Sequence, residues 1–487
     1  MRKYRTIVEA LKEHALTQPK RMAVWAEDNQ LSYAELYRMV CGFARYLSSL
    51  GIRRGDRVVM QTQQSLRFVV AHYGTHLAGG IFTPLEKQIP MEELESFAKI
   101  TQAFIAISEE QISSTRWIAG QNVLEEAQKH ADDPTDFIFP QPEEPAELLF
   151  TTGSTGKAKG VLCSHTNVVA VAENLITGMK YHPNTLLIVP GPLNHANSIR
   201  KVSTTILNGS SIVILNGLLD IRAFFKIMDE MPVTGLCLPP AAVNMLLRLS
   251  RDKIGNYSNK IEFVESGTSP LPETARTRLC ELLPHSRLYN SYGLSEAGSS
   301  CMYDYNQMRD LKNCIGRTAI NAHFIIVDDN RREIQSSKEN CGFLAVTGDV
   351  VMLGYWNDPE ATARTMEDGY FYTTDIGYIE EELIYLVGRK DEMIHVGGYK
   401  VEPIEIEEAV MRYTEVEDCA CVAVEDPYMG QVPKLYVVLA PGATLDAGYI
   451  SNRLRERLES YKIPREIEVI DIIPRSSIGK KLRLKLT

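Results

Sequence analysis

Apolar positions along the chain follow two alternating spacings. Helical spacing predicts helices over residues 7–16, 33–50 and 91–100. Short runs rich in β-branched residues predict strands over residues 186–190, 211–215, 236–238 and 262–264. Because a turn signal and then a helical pattern follow each of these runs, the alternation favours an α/β fold with a largely parallel sheet.

A change of pattern near residue 385 predicts two domains. Residues 132–145 are acidic and rich in proline, so we expect an exposed connection there. Beyond residue 385, the predicted strands cover residues 420–424, 435–439 and 466–470, and the predicted helices cover 404–413 and 447–460. We therefore expect a large N-terminal domain of residues 1–390 and a small α+β domain of residues 391–487.

Composition and charge narrow the class of protein. Hydrophobic residues make up 44% of the chain and charged residues 23%, as in ordinary globular proteins. The net charge of −10 disfavours broad binding to nucleic acid or anionic lipid. No apolar run approaches the roughly 18–20 residues that span a bilayer, and the N-terminus lacks a signal-peptide core, so we expect a cytoplasmic protein. The nine scattered cysteines predict reduced, mostly structural thiols.

The segment LLFTTGSTGKAKGV, residues 148–161, carries the clearest chemistry. An apolar strand leads into glycines, hydroxyls and lysines, which together suit a polyphosphate. Glycines allow close backbone approach, amides and hydroxyls donate hydrogen bonds, and lysines supply charge. The segment is not a Walker A loop, because Ala158 stands where that motif needs its second glycine. For this segment alone, a glycine-rich surface turn is the alternative.

Four further segments carry groups that a nucleotide site uses. They are LYNSYGLSE (288–296), GYFYTTDIG (369–377), GRKDEMIHVGGYKVEPIEIE (388–407) and PRSSIGK (474–480). The first offers a ring to stack on a base, an amide to contact its edge and a carboxylate for Mg²⁺. Singly, each segment also fits a satisfied loop, a turn, a charged edge or a basic tail.

Together and in this order, the five segments resemble the adenylate-forming superfamily, which includes acyl-CoA synthetases, peptide-synthetase adenylation domains and luciferases. Residues 351–362 and 461–464 match further patterns of that superfamily. The resemblance implies that a carboxylate attacks the α-phosphate of ATP to give an acyl-adenylate and pyrophosphate, and that a thiol then displaces AMP. Carboxylate and polyphosphate repel by about 4 kcal/mol per charge pair at about 4 Å and a dielectric near 20, so Mg²⁺ and lysines must offset the repulsion.

The resemblance also implies a fold and a set of site residues. The fold is α/β, with a large N-terminal domain of α/β layers plus a small β-barrel, and a small mobile C-terminal α+β domain. The implied ATP-binding residues are Thr151, Thr152, Ser154, Thr155, Lys159, Asn290, Tyr292, Gly293, Asp375 and Arg389. The implied catalytic residues are His195, Ser295, Glu296 and Lys480.

Within the nucleotide site, the resemblance places Tyr292 against adenine and Asn290 near the amino edge of the base. Asp375 is implied to accept from both ribose hydroxyls, and Arg389 to donate to the ribose. Ser295 is implied to contact the α-phosphate.

Two roles and one motion complete the implied mechanism. Glu296 is the implied metal ligand, for Mg²⁺, and Lys480 bridges the α-phosphate and the substrate carboxylate. Asp391 stands at the implied hinge, where rotation of the small domain withdraws Lys480 and brings the loop 396–401 to the thiol. The residues of this thiol-side loop are Gly397, Gly398 and Tyr399.

The implied acyl pocket comprises His195, Ser198, Arg200, Gly267 and Thr268. His195 matches a histidine that often gates the pocket; a satisfied core histidine is the alternative. Ser198 replaces the expected glycine and Thr268 a common alanine, so we expect a modest-sized, more polar pocket. Arg200 is either a ligand for a polar or second acidic group of the substrate, or a helix-surface charge or ion-pair partner.

Peptide-type adenylation domains usually carry a glycine at the position of Pro403. The segment VEPIEIE, with its proline, resembles the corresponding segment of acyl-CoA ligases. We therefore expect an AMP-forming acid–CoA ligase that uses ATP and Mg²⁺, with coenzyme A as co-substrate. The alternative is a stand-alone adenylation enzyme that loads a carboxylic or amino acid onto a separate carrier protein. A noncatalytic ATP-binding relative is disfavoured by Lys480, Glu296 and Asp375. Neither the acid nor the oligomeric state follows from the sequence.

Overall fold

Helices and strands alternate through the chain. The computed structural model describes residues 3–132, 137–152, 158–218, 220–268, 271–309, 311–390, 392–396, 399–444, 447–475 and 481–486. The helices are α1 (Ile7–Thr17), α2 (Tyr33–Ser49), α3 (Leu66–Leu77), α4 (Met91–Ile100), α5 (Val123–Lys129), α6 (His165–Met179), α7 (Ala196–Asn208), α8 (Ile221–Glu230), α9 (Pro240–Ser250), α10 (Glu273–Leu282), α11 (Pro359–Thr365), α12 (Pro403–Val410) and α13 (Ala447–Arg455). Within the described ranges, no helix is long and apolar enough to cross a membrane.

The strands occupy the following ranges. They are β1 (Met22–Ala26), β2 (Asn29–Ser32), β3 (Arg57–Gln61), β4 (Ile81–Leu85), β5 (Ala103–Ser108), β6 (Arg116–Ala119), β7 (Pro145–Thr152), β8 (Ala158–Ser164), β9 (Leu186–Val189), β10 (Ser211–Ile214), β11 (Gly235–Cys237), β12 (Phe263–Gly267), β13 (Arg287–Leu294), β14 (Gly298–Asp304), β15 (Cys314–Thr318), β16 (His323–Val327), β17 (Gly342–Thr347), β18 (Gly354–Tyr355), β19 (Met366–Glu367), β20 (Tyr370–Glu380), β21 (Leu383–Arg389), β22 (Ile394–Val396), β23 (Tyr399–Val401), β24 (Val416–Asp426), β25 (Gly430–Leu439) and β26 (Glu466–Val469).

The chain divides into two compact units. The first consists of Met1–Leu311, Ile315–Ile325 and Ala345–Tyr372. The second consists of Lys312–Cys314, Ile326–Leu344 and Thr373–Thr487. The domain boundary expected after residue 390 stays a prediction.

A mostly parallel sheet belongs to the first unit. Its central strands run in the order β13–β12–β11–β9–β10–β1, and each neighbouring pair in that run is parallel. The strands β2 and β14 flank the run through antiparallel pairs. All four strands predicted between residues 186 and 264 lie in this run, so the predicted parallel sheet is confirmed.

A second sheet of the first unit has seven strands, in the order β18–β8–β7–β4–β3–β5–β6. The strands from β7 to β6 pair in parallel. The strand β8 forms an antiparallel hairpin with β7, and the short strand β18 pairs antiparallel with β8. The small β-barrel expected for the N-terminal domain stays a prediction.

Local sequence signals determine where helices of the first unit begin. At α2 the Ser32 hydroxyl accepts from the backbone N–H of Glu35, and the Glu35 carboxylate accepts from the backbone N–H of Ser32. Ser164 and Asn167 form the same reciprocal arrangement at α6. The three helices predicted in the first hundred residues correspond to α1, α2 and α4.

Helix α7 is buried from residue 198 to residue 207 although it carries hydroxyls and two positive charges. Two of the hydroxyls are satisfied inside the helix, because Thr204 donates to the carbonyl of Arg200 at 2.7 Å and Thr205 to that of Lys201 at 3.1 Å. A charge on a covered helix face is tolerated only when it is paired. Arg200 and Lys201 therefore need acidic partners from neighbouring elements.

The second unit contains a five-stranded sheet in the order β23–β22–β25–β24, with β26 pairing in parallel with β25. Its core includes Ile394, Ile406, Leu435 and Ile450, which come from strands of this sheet and from α12 and α13. The predicted mixture of strands and helices is confirmed. Both helices end earlier than predicted, at Val410 and Arg455, because the chain turns at these points.

The approach of α2 to α5 at Gly42 gives a test of this packing. A Cβ atom on Gly42 would lie 1.9 Å from the backbone oxygen of Ala127. Alanine is the better helix former by about 1 kcal/mol, but overpacking costs about 1–3 kcal/mol. We expect Gly42→Ala to lower the melting temperature in thermal unfolding, and Ser48→Ala, at an exposed position of the same helix, to leave it nearly unchanged. Equal melting temperatures for Gly42→Ala and the wild type would contradict the close approach.

Candidate active site

The predicted phosphate loop connects two strands of the seven-stranded sheet. Thr151 on β7 pairs with Lys159 on β8, one pair away from the loop end of the hairpin. Ser154 and Thr155 lie outside the described residues, as does the side chain of Thr152. The hairpin therefore presents Thr151 and Lys159, both half-buried, at the two ends of the loop.

Tyr355 connects the phosphate-loop hairpin to the predicted metal ligand. It lies on β18, which pairs with β8, and the ammonium group of Lys159 lies 5.0 Å from the centre of its ring. The Tyr355 hydroxyl donates to Glu296 Oε1 at 2.9 Å. Burial and the neighbouring Glu296 carboxylate raise the pKa of Tyr355, so its hydroxyl stays protonated and remains a donor. Two predicted site residues far apart in sequence thus converge on one tyrosine, which the motif analysis did not assign.

Ser295 and Glu296 occupy the turn between β13 and β14, and both are half-buried. The turn is fixed from two sides, because the backbone oxygen of Glu296 accepts from Met352 N at 2.8 Å. On the other side, a Cβ atom on Gly293 would lie 2.1 Å from the backbone oxygen of Gly298. Gly293 is therefore required for close contact between the two strands, whereas a contact with ATP stays a prediction.

The acyl-pocket wall and the adenine segment lie on adjacent parallel strands. In the register of β12 and β13, Ser266 is opposite Asn290 and Gly267 is opposite Ser291. A Cβ atom on Gly267 would lie 2.5 Å from Ser291 Oγ. Side chains at the carboxyl ends of neighbouring parallel strands commonly form ligand sites. The structure therefore brings these two predicted segments together.

Thr268, which follows β12, has a strained backbone. Its φ is +74°, a value that β-branched residues rarely adopt. Its Oγ1 is buried and has no hydrogen-bond partner among the described residues. Strain and unsatisfied polar atoms concentrate at functional sites. Both observations support, without testing, the predicted place of Thr268 in the acyl pocket.

Tyr292, predicted to lie against adenine, is half-buried on β13. The centre of its ring lies 6.3 Å from that of Phe324, with the planes tilted by 59°. Asn290, two residues earlier on the same strand, is also half-buried. Both predicted adenine contacts therefore lie near the end of β13, next to the turn that carries Glu296.

His195 is the N-cap of α7. Its Nδ1 accepts from the backbone N–H of Asn197 at 3.2 Å, so a neutral ring carries its proton on Nε2. The side chain is half-buried. Ser198, one turn into the helix, is buried against Gly191, where a Cβ atom would lie 2.4 Å from Ser198 Oγ. A gating role for His195 stays a prediction.

Arg200 is buried and ion-paired. Its guanidinium contacts the carboxylate of Glu147 on β7, and the other oxygen of that carboxylate lies 3.1 Å from His72 Nε2. Burial raises the pKa of Glu147, but the charge of Arg200 and the hydrogen bond from His72 together outweigh burial and hold that pKa below its usual range. The alternative of a helix-surface charge is therefore wrong, because neighbouring elements cover α7 at this position. The ion pair is observed, and a contact between Arg200 and the substrate stays a prediction.

Histidines surround this ion pair. His72, His76 and Glu147 bring possible metal-ligand atoms within 4.8 Å of one another. Burial lowers the pKa of His72 and His76, and it lowers the pKa of His165, beside His76, to about 4. The three rings are thus neutral at pH 7, and Arg200 already balances Glu147. A divalent cation would add two uncompensated charges to this interior, so we assign the cluster a structural role.

In the second unit, the two residues predicted to bind ribose are neighbours. Asp375 on β20 is opposite Arg389 on β21, and Arg389 Nε lies 2.9 Å from Asp375 Oδ1. Arg389 Nη2 also donates to Thr374 Oγ1 at 3.2 Å. Asp375 is buried, whereas Arg389 is half-buried. An acceptor and several donors are therefore held side by side, as recognition of ribose hydroxyls requires.

Glu402, which the motif analysis did not assign, packs against the same strand. A Cβ atom on Gly388 would lie 2.5 Å from Glu402 Oε1. Burial, together with the nearby charges of Glu405 and Glu408, raises the pKa of Glu402 to about 8. Its segment VEPIEIE carries two further glutamates, so no local signal indicates that this carboxyl is half-buried.

The remaining predicted residues of the second unit fall largely outside the described part of the chain. Those outside it are Asp391, Gly397, Gly398 and Lys480. The chain on either side of residues 476–480 is anchored by ion pairs, between Arg475 and Asp418 at 2.6 Å and between Lys481 and Glu407 at 2.6 Å.

Tyr399 is the described residue of the predicted thiol-side loop. It lies on β23 and is 57% exposed. Its ring stacks on that of Tyr461, with centres 4.4 Å apart and planes 16° apart. The stacking joins the predicted thiol-side loop to the segment 461–464, which is a separate superfamily pattern in the sequence.

Two family profiles match the chain. Residues 11–356 match the AMP-binding enzyme family, and residues 405–480 match the AMP-binding enzyme C-terminal domain. The chain belongs to the AMP-binding enzyme family. The predicted membership of the adenylate-forming superfamily, as an enzyme of the acyl-CoA-ligase-like type, is thereby confirmed.

Known relatives of this family member match it over nearly their whole length. The chain is 26% identical to 4-coumarate-CoA ligase 1 of Narcissus pseudonarcissus, over 94% of this chain and 88% of the relative. It is 26% identical to the long-chain-fatty-acid–CoA ligase of Bacillus subtilis (strain 168), over 99% and 94%. It is 27% identical to a feruloyl-CoA synthase of an Amycolatopsis species, over 96% and 95%. These relatives differ in the acid that their names give.

Solved structures share the fold. ATP-bound MatB from Rhodopseudomonas palustris has a TM-score of 0.90 at 24% identity, over 99% of this chain and 98% of MatB. MenE from Bacillus subtilis, in complex with the acyl-adenylate OSB-AMP, has a TM-score of 0.87 at 21% identity, over 98% and 97%. The predicted α/β fold with a large N-terminal and a smaller C-terminal domain is confirmed.

The pairing of Arg200 with Glu147 predicts a large loss of stability for Arg200→Met. This change leaves the Glu147 charge buried without its counter-charge, which costs about 3–5 kcal/mol. We expect the double variant Arg200→Met/Glu147→Gln to recover most of the loss, as measured by chemical denaturation. An Arg200→Met protein as stable as the wild type would contradict the pairing.

An unchanged acid profile in the stable double variant would exclude a substrate contact of Arg200.

The raised pKa of Glu402 predicts a pH-dependent penalty in the second unit. Between the pKa of the unfolded carboxyl, about 4.3, and the folded value of about 8, the folded state binds a proton that the unfolded state has lost. Stability therefore falls as pH rises through this window. We expect Glu402→Gln to match the wild type near pH 4.5 and to exceed it at pH 8.5 by at least about 1 kcal/mol.

Thermal unfolding across this pH range measures the effect of Glu402→Gln. The matched control is Glu456→Gln, at an exposed position of the same unit, which should not reproduce the pH-dependent gain. A difference between Glu402→Gln and the wild type that is constant with pH would contradict the raised pKa.

Proposed function

We propose that the chain is an AMP-forming acid–CoA ligase. It activates a carboxylic acid with ATP to give an acyl-adenylate and pyrophosphate, and it then transfers the acyl group to the thiol of coenzyme A. The observation that carries the proposal is the convergence of Lys159 and Glu296 on Tyr355. A phosphate-binding cation and a metal-binding carboxylate held at one point suit an enzyme that stabilises charge on a transferring phosphoryl group.

The proposed nucleotide contacts come from several strands and turns. Thr151 and Lys159 bind the β- and γ-phosphates, Ser295 the α-phosphate, and Tyr292 the adenine. Asp375 and Arg389 bind the ribose. Their pairing across β20 and β21 supports this role, because it places a carboxylate acceptor beside guanidinium donors, as ribose hydroxyls require.

Glu296 fits Mg²⁺. Mg²⁺ is held by one or two carboxylates together with water and phosphate oxygens. The Glu296 carboxylate is half-buried, and the hydrogen bond from Tyr355 fixes its orientation. When bound, Mg²⁺ reduces the charge on the phosphates that an incoming carboxylate approaches.

Two displacements make up the proposed reaction. In the first, an oxygen of the substrate carboxylate bonds to the α-phosphorus, and the bond from this phosphorus to pyrophosphate breaks. In the second, the sulfur of coenzyme A bonds to the acyl carbon, the bond from this carbon to AMP breaks, and the thiol proton is released. Lys480 bridges the carboxylate and the α-phosphate in the first step, and rotation at Asp391 brings Gly397, Gly398 and Tyr399 to the thiol in the second.

Coenzyme A is the proposed thiol because of Pro403 and because the relatives named above are CoA ligases or synthetases. Pro403 is the first residue of α12, where its fixed φ suits the start of a helix. A carrier protein in trans is the competing acceptor.

The acid pocket is proposed to be modest in size and polar. Two side chains support this proposal. Ser198 is a buried serine, and Thr268 is a strained threonine whose hydroxyl has no hydrogen-bond partner in the part of the chain that the structure describes. The relatives' names include 4-coumarate, ferulate and long-chain fatty acids, so they do not select an acid.

AMP formation from ATP and Mg²⁺ tests the function. We would measure it over short, branched, aromatic, dicarboxylic and fatty acids, each with and without coenzyme A. We expect CoA-dependent AMP formation with one class of acid, and a decrease of at least about 100-fold for Lys480→Ala. An acyl-adenylate that hydroxylamine traps but coenzyme A does not consume would support the carrier-protein alternative. ATP binding without pyrophosphate release for every acid would refute the proposed function.

A further inference from the structure

Beside the Arg200 pair, α7 carries a second buried ion pair that no site motif includes. Lys201 is fully buried, and its ammonium group lies 3.2 Å from Oε1 of Glu265 on β12, which is 1% exposed. An ionised pair in the interior is retained only when further hydrogen bonds satisfy its remaining polar atoms. The partners of Glu265 therefore show what this pair holds in place.

Glu265 collects hydrogen bonds from three neighbouring elements. Its Oε1 accepts from Ser291 Oγ on β13 and from Asn197 Nδ2 on α7, the latter at 3.3 Å. Its Oε2 accepts from Cys237 Sγ on β11 at 2.9 Å. Burial raises the pKa of Glu265, but the charge of Lys201 and these donors outweigh burial, so the carboxyl stays ionised.

The network of Glu265 lies against the predicted acyl-pocket wall. Residues two apart on a strand share a face, and a Cβ atom on Gly267 would lie 3.1 Å from Glu265 Oε1. Ser291 is opposite Gly267 in the strand register. The ionised pair therefore lies at the end of the site where the acid is proposed to bind.

Asn197 is the half-exposed member of this network. One amide hydrogen goes to Glu265, and its Oδ1 lies 3.3 Å from Cys237 Sγ, whose single hydrogen goes to the nearer Glu265 Oε2. Among the contacts of the described residues, the amide keeps one donor hydrogen and its oxygen as an acceptor for a ligand. Glu265 also determines the orientation of the Asn197 side-chain amide. An ionised carboxylate can only accept a hydrogen bond, so the amide nitrogen, and not the amide oxygen, faces Glu265.

We propose that the buried Lys201–Glu265 pair positions Asn197, and that Asn197 hydrogen-bonds a hydroxyl or carbonyl of the acid substrate. This inference rests on the proposed function. The substrate class that it names is an acid of modest size that carries a polar group beyond its reacting carboxylate. A site built to hydrogen-bond such a group rejects the analogue that lacks it far more strongly than an apolar pocket rejects an added hydroxyl.

The test compares two acids of one carbon skeleton, the best acid of the panel and its analogue without the hydroxyl or carbonyl. Discrimination is the ratio of their kcat/KM values. The variants are Asn197→Leu, which removes the proposed contact, and Lys201→Met/Glu265→Met, which removes the positioning pair without leaving an unpaired charge. The control is Tyr33→Phe, which removes a buried hydrogen bond of 2.7 Å to the carbonyl of Ser210, just beyond the other end of α7.

We expect discrimination to fall at least about tenfold in both variants and to stay at the wild-type value in the control. We expect the KM for ATP to change less than twofold. A general loosening of the fold would instead change the KM for ATP as well as the discrimination. Unchanged discrimination in Asn197→Leu would overturn the inference, and so would a best acid with no polar group beyond its carboxylate. A failure of the wild type to form AMP with any acid would instead refute the proposed function, so the two failures are distinguishable.

Discussion

The first unit depends on the pairing of two consecutive buried cations on α7. Successive helical residues are rotated by about 100°, so Arg200 and Lys201 leave the helix in different directions. One meets Glu147 on β7 of the seven-stranded sheet, and the other meets Glu265 on β12 of the parallel sheet. The strand β7 leads into the predicted phosphate loop, and β12 leads into the predicted acyl-pocket wall. A requirement to neutralise charge in the interior thus ties one helix to both halves of the candidate site.

The rest of the site is built at the ends of strands. The strands β12 and β13 bring Gly267 beside Ser291 because they are parallel neighbours, and the hairpin of β7 and β8 brings Thr151 beside Lys159 because they are antiparallel. The short strand β18 then adds Tyr355 at the edge of the sheet. The backbone pairing determines which side chains meet, and their chemistry follows from it.

Much of the fold could be predicted from the sequence because the evidence was local. Period, turn signals and runs of β-branched residues identified α1, α2, α4 and the strands from β9 to β12. Glycines, hydroxyls and lysines in one short segment identified the phosphate loop. Partners distant in sequence could not be predicted. Arg200 belongs to the implied acyl pocket, and no sequence pattern links it to Glu147, its observed partner. Tyr355 and Glu402 were missed for the same reason, because their environments form only through long-range packing.

The adjacent cations of α7 also limit how this pocket can be exchanged between relatives. The segment that begins at His195 is an obvious candidate for grafting, since it is short and contributes to the proposed acid site. Transplanted alone into a host without acids at positions 147 and 265, its two cations would be buried unpaired. A chimera that keeps its charges neutral must therefore carry four positions from three separate stretches of sequence, which makes α7 and its two acids the smallest transferable module.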